Sequence, residues 1–288
     1  MKYFKFLQGQ TVTAGSKVVI HWHKRFSDNK NAGMAYVCLG RCQDKNDIYI
    51  KGKVDPAGIH ASPEALEETK RLDKIFDDNV QKQNDLKESH WIISYLNVRG
   101  RKKEDVKIDN VLMESDIFSL GETHLNPGET VNFDGYEGVF ANVGKGKGVA
   151  VFSKLNCRLV DSVATSNVSA MYLKTDKFDL IFLYLSKGFN KEELFNLLGR
   201  WINDNTPTAV MGDMNWNFSE DCKMKKFMET KRFHQLIEKA TCDSGNLLDH
   251  IYVNDALMSL NVVSQQSAAY YTDHDIISLF IPKRRIMF

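Results

Sequence analysis

Seven polar residues in this sequence stand where an apolar run begins or stops. Asn97 follows WIISYL, Glu122 follows DIFSLG, Asp213 and Asn215 follow PTAVMG, Asp249 opens DHIYV, and Asp273 with His274 opens the last run, IISLFI. Carboxylate and amide oxygens of this kind suit a hard divalent cation, Mg²⁺ before Zn²⁺, because no cysteine or multi-histidine set accompanies them. The carboxylates and the imidazole can equally move protons. In VMGDMNWN (210–217) the β-prone run puts Asp213 just past a strand's carboxyl end, where α/β folds tend to place ligand sites. Taken singly, each residue has an ordinary use: Gly212 and Asn215 as turn residues, Asp213 as a helix cap, Asn97 as a turn cap, Glu122 and His124 as surface residues. Recurrence at one strand end after another sets them apart.

The elements that must position these residues are short apolar runs. Candidate strands are WIISYLN (91–97), DIFSLGE (116–122), GVAVFS (148–153), SAMYLKT (169–175), FDLIFLYL (178–185), PTAVMGD (207–213), LDHIYVN (248–254) and HDIISLFI (274–281). Between 191 and 203, Leu194, Leu197, Leu198, Trp201 and Ile202 recur at helical spacing and mark one buried helix face. A further helix is predicted over 220–240. Many strands, few helices and no strict βαβ rhythm point to an α/β (α+β) layered sandwich of mixed sheets. Upstream, Ser62 and Pro63 read as the cap and first position of a helix through EALEETKRLDKIF. The polar stretch that follows reads as a linker over 77–89, separating residues 1–76 from a domain at 90–288.

The 288 residues, 43% apolar and 26% charged, suffice for one large or two small domains with a proper core. No apolar run approaches membrane-spanning length, and the opening MKYFKFLQGQ lacks a secretory apolar segment, so a nuclear or cytoplasmic location is expected. Five scattered cysteines without a C-x-x-C pair favour neither a disulfide framework nor a zinc knuckle. With a net charge of +1, any nucleic-acid contact must come from local basic clusters: RGRKK (99–103), KGKG (145–148), KMKK (223–226) and KRR (283–285). Trp216, beside Asp213, could stack on a base or pack, and packing is favoured.

Taken in order, LNVRG (96–100), DIFSLGETH (116–124), KGVAVFSK (147–154), YL (184–185), VMGDMNWN (210–217), LLDHIYV (247–253) and TDHDIISL (272–279) resemble the endonuclease/exonuclease/phosphatase superfamily. This is the fold of deoxyribonuclease I, apurinic endonucleases and the endonucleases of non-LTR retrotransposons. The resemblance implies a four-layer α/β sandwich of two mixed β-sheets flanked by helices, and hydrolysis of phosphodiester bonds to a 3′-hydroxyl and a 5′-phosphate. It implies Glu122 as principal ligand of Mg²⁺ (or Mn²⁺), assisted by Asn97 and Asp273. Asp213 would orient or deprotonate water, Asn215 would hold the scissile phosphate, and His274, fixed by Asp249, would contact a phosphoryl oxygen. Tyr184 matches a family tyrosine near the phosphate, although FLYLSKGFN lacks the proline-rich continuation common in relatives.

LQGQTV (7–12), GMAYVCLGR (33–41), DIYIKG (47–52) and SPEALEETKRL (62–72) carry a second resemblance, to the end of a superfamily-one helicase of Helitron transposons. Arg41 would match the arginine that senses the γ-phosphate, with Gly40 replacing a family serine. GKGKG (144–148) lacks the hydroxyl residue of a P-loop, so ATP hydrolysis by this chain alone is not expected. The segment is expected to be a truncated helicase remnant whose core belongs upstream. The pairing matches the Helentron branch of Helitrons and points to DNA as substrate; separately, no membrane partner is expected, and a monomer is the expectation with the oligomeric state not read from the sequence. Two other readings stay open: a phosphatase or lipid phosphodiesterase of the same fold, and an inactive transposon-derived remnant.

Overall fold

A computed structural model describes residues 18–21, 48–51, 67–71, 74, 84–101, 103–107, 109–203, 205–217 and 223–283. The chain divides into two compact units, Met1–Gln83 and Asn84–Phe288. In the first, β1 (Val18–His21) pairs in parallel with β2 (Ile48–Lys51), and residues 67–71 and 74 are helical (α1). Arg41 and the Ser62 cap lie outside the described residues. Residues 84–89, read from sequence as the end of a linker, are helical (α2) and belong to the second unit. There Lys87 pairs with Glu114, and the backbone N–H of Lys283 donates to Ser89 O at 2.8 Å.

The second unit is built on two six-stranded sheets. The strands are β3 (His90–Asn97), β4 (Ile117–Gly121), β5 (Glu137–Ala141), β6 (Val149–Ser153), β7 (Arg158–Ala164), β8 (Val168–Lys174), β9 (Asp179–Leu185), β10 (Thr208–Asp213), β11 (Phe233–Gln235), β12 (Asp249–Asn254), β13 (Val263–Ala268) and β14 (Asp275–Pro282). One sheet runs β13-β14-β3-β4-β6-β5, the other β11-β12-β10-β9-β8-β7. Both are mixed: β3–β4 and β9–β10 are parallel and the remaining pairs antiparallel.

Side chains alternate between the faces of a strand, and this period of two sorts the apolar residues into layers. Ile93, Tyr95, Leu180, Phe182, Ala209, Met211, Ile251, Val253, Ile277 and Leu279 fill the space between the sheets. The alternate residues of the second sheet, such as Ile181, Leu183 and Val210, meet helices α5 (Lys191–Trp201) and α6 (Lys223–Thr230). Those of the first sheet, such as Leu96, Phe118 and Phe152, meet α3 (Lys103–Lys107) and α4 (Asn110–Glu114). The result is the expected four-layer sandwich of two mixed sheets flanked by helices. No helix among the described residues is long and apolar enough to cross a membrane.

Helix α5 buries Leu194, Leu197, Leu198 and Trp201, with Asn190 capping its first turn. The helix expected over 220–240 is shorter than its pattern suggested. It ends at Thr230, Arg232 takes a positive φ of 59°, and Phe233 opens strand β11. Pairing with β12 outweighs the helix propensity of the residues that follow.

Candidate active site

Strand periodicity decides what lines one end of the inter-sheet layer. Asn97 continues the inward set Ile93 and Tyr95; Tyr184 continues Leu180 and Phe182; Asp213 continues Ala209 and Met211; Asp249 precedes Ile251 and Val253. In the second sheet Asp213 is in register with Tyr184 on one side and Asp249 on the other, so the three form a row. In the first sheet Asn97 is in register with Gly121, and Glu122 follows at once.

Three hydrogen bonds then join the sheets at this end. Asn97 Nδ2 donates to Asp213 Oδ2 at 2.8 Å, the Tyr184 hydroxyl donates to Glu122 Oε1 at 2.6 Å, and His274 Nδ1 donates to Asp249 Oδ2 at 2.8 Å. Supporting contacts hold the participants. Thr241 Oγ1 donates to Asp249 Oδ2 at 2.7 Å, Thr272 Oγ1 to Asn97 O at 3.0 Å, and the Asn215 N–H to Asp213 Oδ1 at 2.8 Å. The Asn215 side-chain amide donates to Leu185 O at 2.7 Å.

The backbone is strained here. Arg99, Glu122, His124 and Asn215 all adopt positive φ, 47°, 51°, 58° and 45°, a region in which such conformations cluster at functional sites. His124 lies over Gly100, where an added Cβ would come within 2.4 Å of its ring.

Burial and mutual repulsion set the protonation states. Burial, then the Asp249 charge, raises Asp213 to about 7, against the lowering effects of His274, Asn215 and Asn97. Burial alone would lower His274, but the hydrogen bond and charge of Asp249, with Asp213 and Cys242, lift it to about 9. At neutral pH the site therefore holds a cationic imidazole beside a carboxylate poised to exchange its proton. Burial and the hydrogen bond to Glu122 raise Tyr184, which remains a neutral donor.

Solved structures share this architecture. The endonuclease domain of TRAS1, a telomere-specific non-LTR retrotransposon, aligns with a TM-score of 0.54 and 15% identity over 68% of this chain and 100% of its own. The AP endonuclease LMAP from Leishmania major gives 0.52 and 15% over 68% and 89%. An AP endonuclease from Archaeoglobus fulgidus gives 0.53 and 19% over 66% and 99%. The fold is the deoxyribonuclease I-like α/β sandwich of two mixed sheets. No family model and no curated protein matches the chain.

Within this fold, Glu122 and Asp273 suit a hard cation. Asp273 Oδ1 is buried with no hydrogen-bond partner, and both side chains offer only oxygen. Asn97 stands slightly apart: its amide nitrogen serves Asp213 and its oxygen already accepts from the Arg99 N–H at 3.0 Å. Ligand-type atoms of Asp213, Asp249 and His274 also lie within 4.8 Å of one another, as do those of Cys242, Asp273 and His274. Because His274 is cationic and donates its Nδ1 proton to Asp249, neither histidine set is a natural metal cage.

Reading the sequence missed Arg99 and Thr241. Arg99 lies inside LNVRG but ends no strand, and its guanidinium reaches Asp273 Oδ2 at 2.7 Å and Glu122 Oε2 at 3.7 Å. Thr241, in a loop without periodic signal, is fully buried against Asp249. Trp216 packs, as favoured: its ring meets Phe189 and Phe195 with centroids 5.8 and 6.5 Å away.

The Trp216 loop is anchored by a buried histidine. His250 Nε2 meets Trp216 O at 3.1 Å, so it must donate, and Nδ1 then accepts from Gln235 Nε2 at 2.7 Å. Burial lowers His250 to about 4, so it is neutral in the folded state. Between about 4 and its ordinary 6.5 the unfolded chain binds the extra proton, so this residue's contribution is lost as pH falls through that window. The stability advantage of the wild type over His250→Gln is expected to shrink by about 3 kcal/mol between pH 7 and pH 4. Urea denaturation of both proteins across that range checks it; parallel pH profiles would count against the neutral anchor.

Proposed function

We propose that the chain is a divalent-cation-dependent phosphodiester hydrolase, a DNA endonuclease of a Helitron-like element that uses Mg²⁺ or Mn²⁺. The observation that carries this reading is the trio of cross-sheet hydrogen bonds, Asn97–Asp213, Tyr184–Glu122 and His274–Asp249, which gathers a base, an acid and cation-binding oxygens at one end of the sandwich. Glu122 and Asp273 would hold the cation, with Asn97 adjoining. Bound there, a divalent ion offsets charge on the phosphoryl and leaving oxygens.

The chain's own groups account for the rest. Asp213, raised to about 7 and aimed by Asn97 and Asn215, takes a proton from the attacking water. His274, kept cationic by Asp249, donates through Nε2 to a phosphoryl oxygen. Tyr184 presents a neutral hydroxyl and Asn215 an amide beside the scissile phosphate. The helicase-like residues 7–72 favour DNA over a lipid or sugar phosphate, and Arg41 there would be a vestigial nucleotide-sensing position. Tyr270 also fits a nucleic acid. It is 100% exposed, yet its loop is pinned by buried Ala269, by Tyr271 to Asp109 at 3.0 Å and by Thr272 to Asn97. A ring displayed this way can stack on a base.

The test is nicking of supercoiled plasmid. Wild type with Mg²⁺ is expected to nick, EDTA to stop it, and Glu122→Ala to slow it by at least about 10²-fold, the scale of losing a major electrostatic contributor. Folded wild type that leaves plasmid, abasic and single-stranded DNA intact with Mg²⁺ would refute the assignment.

A further inference from the structure

Arg99 has no part in the chemistry above, yet its position is specified by more than its length. Its N–H donates to Asn97 Oδ1 at 3.0 Å, the next N–H, of Gly100, donates to Glu122 O at 2.8 Å, and that of Arg101 donates to Val98 O at 2.9 Å. This tied loop holds Arg99 at a positive φ of 47°, a conformation costly for a branchless non-glycine residue. From there the guanidinium spans the two carboxylates read as cation ligands, at 2.7 Å from Asp273 Oδ2 and 3.7 Å from Glu122 Oε2. The Arg99 side chain is 56% exposed while Glu122 and Asp273 are 18% and 31% exposed, so the guanidinium is the most hydrated member of the trio.

Electrostatics explains why such a group is needed. Glu122, Asp273, Asp213 and Asp249 converge here, and among the described residues the cationic groups seen in contact with them are Arg99 and His274. His274 is committed to Asp249, which leaves Glu122 and Asp273 without a counter-charge unless Arg99 or another cation supplies it. A guanidinium on Asp273 Oδ2 and a divalent ion on the free Asp273 Oδ1 would repel each other across the same carboxylates, so each weakens the other's hold. Because ion pairs of a half-exposed arginine are weak, a divalent ion can displace it.

We propose that Arg99 is a built-in competitor for the cation site: it pairs Glu122 with Asp273 in the cation-free protein and surrenders both when a divalent ion binds. Its guanidinium then projects at the mouth of the site, where a substrate phosphate would meet it. The inference rests on the reading of Glu122 and Asp273 as cation ligands.

The experiment needs no substrate. Mn²⁺ is titrated into the full chain without nucleic acid, and free Mn²⁺ is followed by electron paramagnetic resonance for wild type, Arg99→Gln and Arg99→Asn. Asparagine tolerates the left-handed backbone, which guards against a folding defect. Both variants are expected to bind Mn²⁺ about 3- to 10-fold more tightly, the range set by losing one or two exposed ion pairs. In wild type, the Arg99 Nε–H resonance should shift as Mg²⁺ saturates. Wild-type binding with unchanged or weaker affinity in both folded variants overturns the competitor role and leaves the metal reading intact. No binding by any of the three overturns both.

Discussion

Replacing Asp213 with asparagine is expected to cut the rate of DNA cleavage by about 10³-fold and, in the same protein, to raise stability in EDTA. The two effects have one origin. A carboxylate that must exchange a proton near neutral pH is placed where burial and Asp249 repel its charge, lifting it from 3.8 to about 7. The folded state thus binds this proton more tightly than the unfolded chain. The carboxyl's contribution to stability is complete below about 3.8 and is lost as pH rises through about 7. Asparagine never ionises, so the variant's advantage should widen between pH 4 and pH 8, by at most about 4 kcal/mol. Part of the gain is forfeited because two donors, Asn97 Nδ2 and the Asn215 N–H, meet two oxygens in aspartate and one in asparagine. Single-turnover nicking and urea denaturation at pH 4, 6 and 8 measure both halves. Cleavage within tenfold of wild type, or an advantage that shrinks with rising pH, would show that Asp213 is not the poised base.

Gly212→Ala is expected to cost about 3–5 kcal/mol, a large share of an ordinary domain stability of about 5–15 kcal/mol. Gly212 has φ of 150°, and a Cβ there would fall 1.9 Å from the carbonyl oxygen of Leu183, its register partner in β9. That obstacle is backbone inside a sheet, so no rotamer change relieves it. The same kink delivers Asp213 to the end of β10, which ties the glycine to the site as well as to the fold. Chemical denaturation decides the matter: a loss below about 1 kcal/mol would mean that the two strands can separate locally to admit a methyl group.

All eight strands expected from sequence occur, as β3, β4, β6, β8, β9, β10, β12 and β14. They lie inside the sheets, with one face on the inter-sheet core and the other on helices, so each is largely apolar along its length. In the second unit the strands that sequence did not reveal are β5, β7, β11 and β13, and these are the four edges of its two sheets; β1 and β2 of the first unit were also not expected. RLVDSVA in β7 is mostly exposed and VSQQSA in β13 is half-buried and polar at its centre, so neither hydrophobic alternation nor continuity marks them.

The same physics governed the site. Asn97, Asp213 and Asp249 could be picked out because they stand where apolar runs begin or stop. Arg99 and Thr241 could not, because they act from loops whose course is set by tertiary hydrogen bonds. The 220–240 segment misled for a related reason: it was expected to stay helical, but Phe233 pairs with β12.

Those four silent edges carry a consequence for how this molecule behaves in company. An edge strand is an open template for another chain, and here each one is spoiled. β7 bears Arg158 and Asp161 and a register shift between Leu159 and Asp161, β11 is only three residues long, β13 presents Gln265 and Gln266, and β5 begins on exposed Glu137. An intruding strand would have to strip water from charges and amides before gaining a single ladder bond. The polarity that hides these strands from a hydrophobicity reading is what keeps the sandwich from templating its own aggregation.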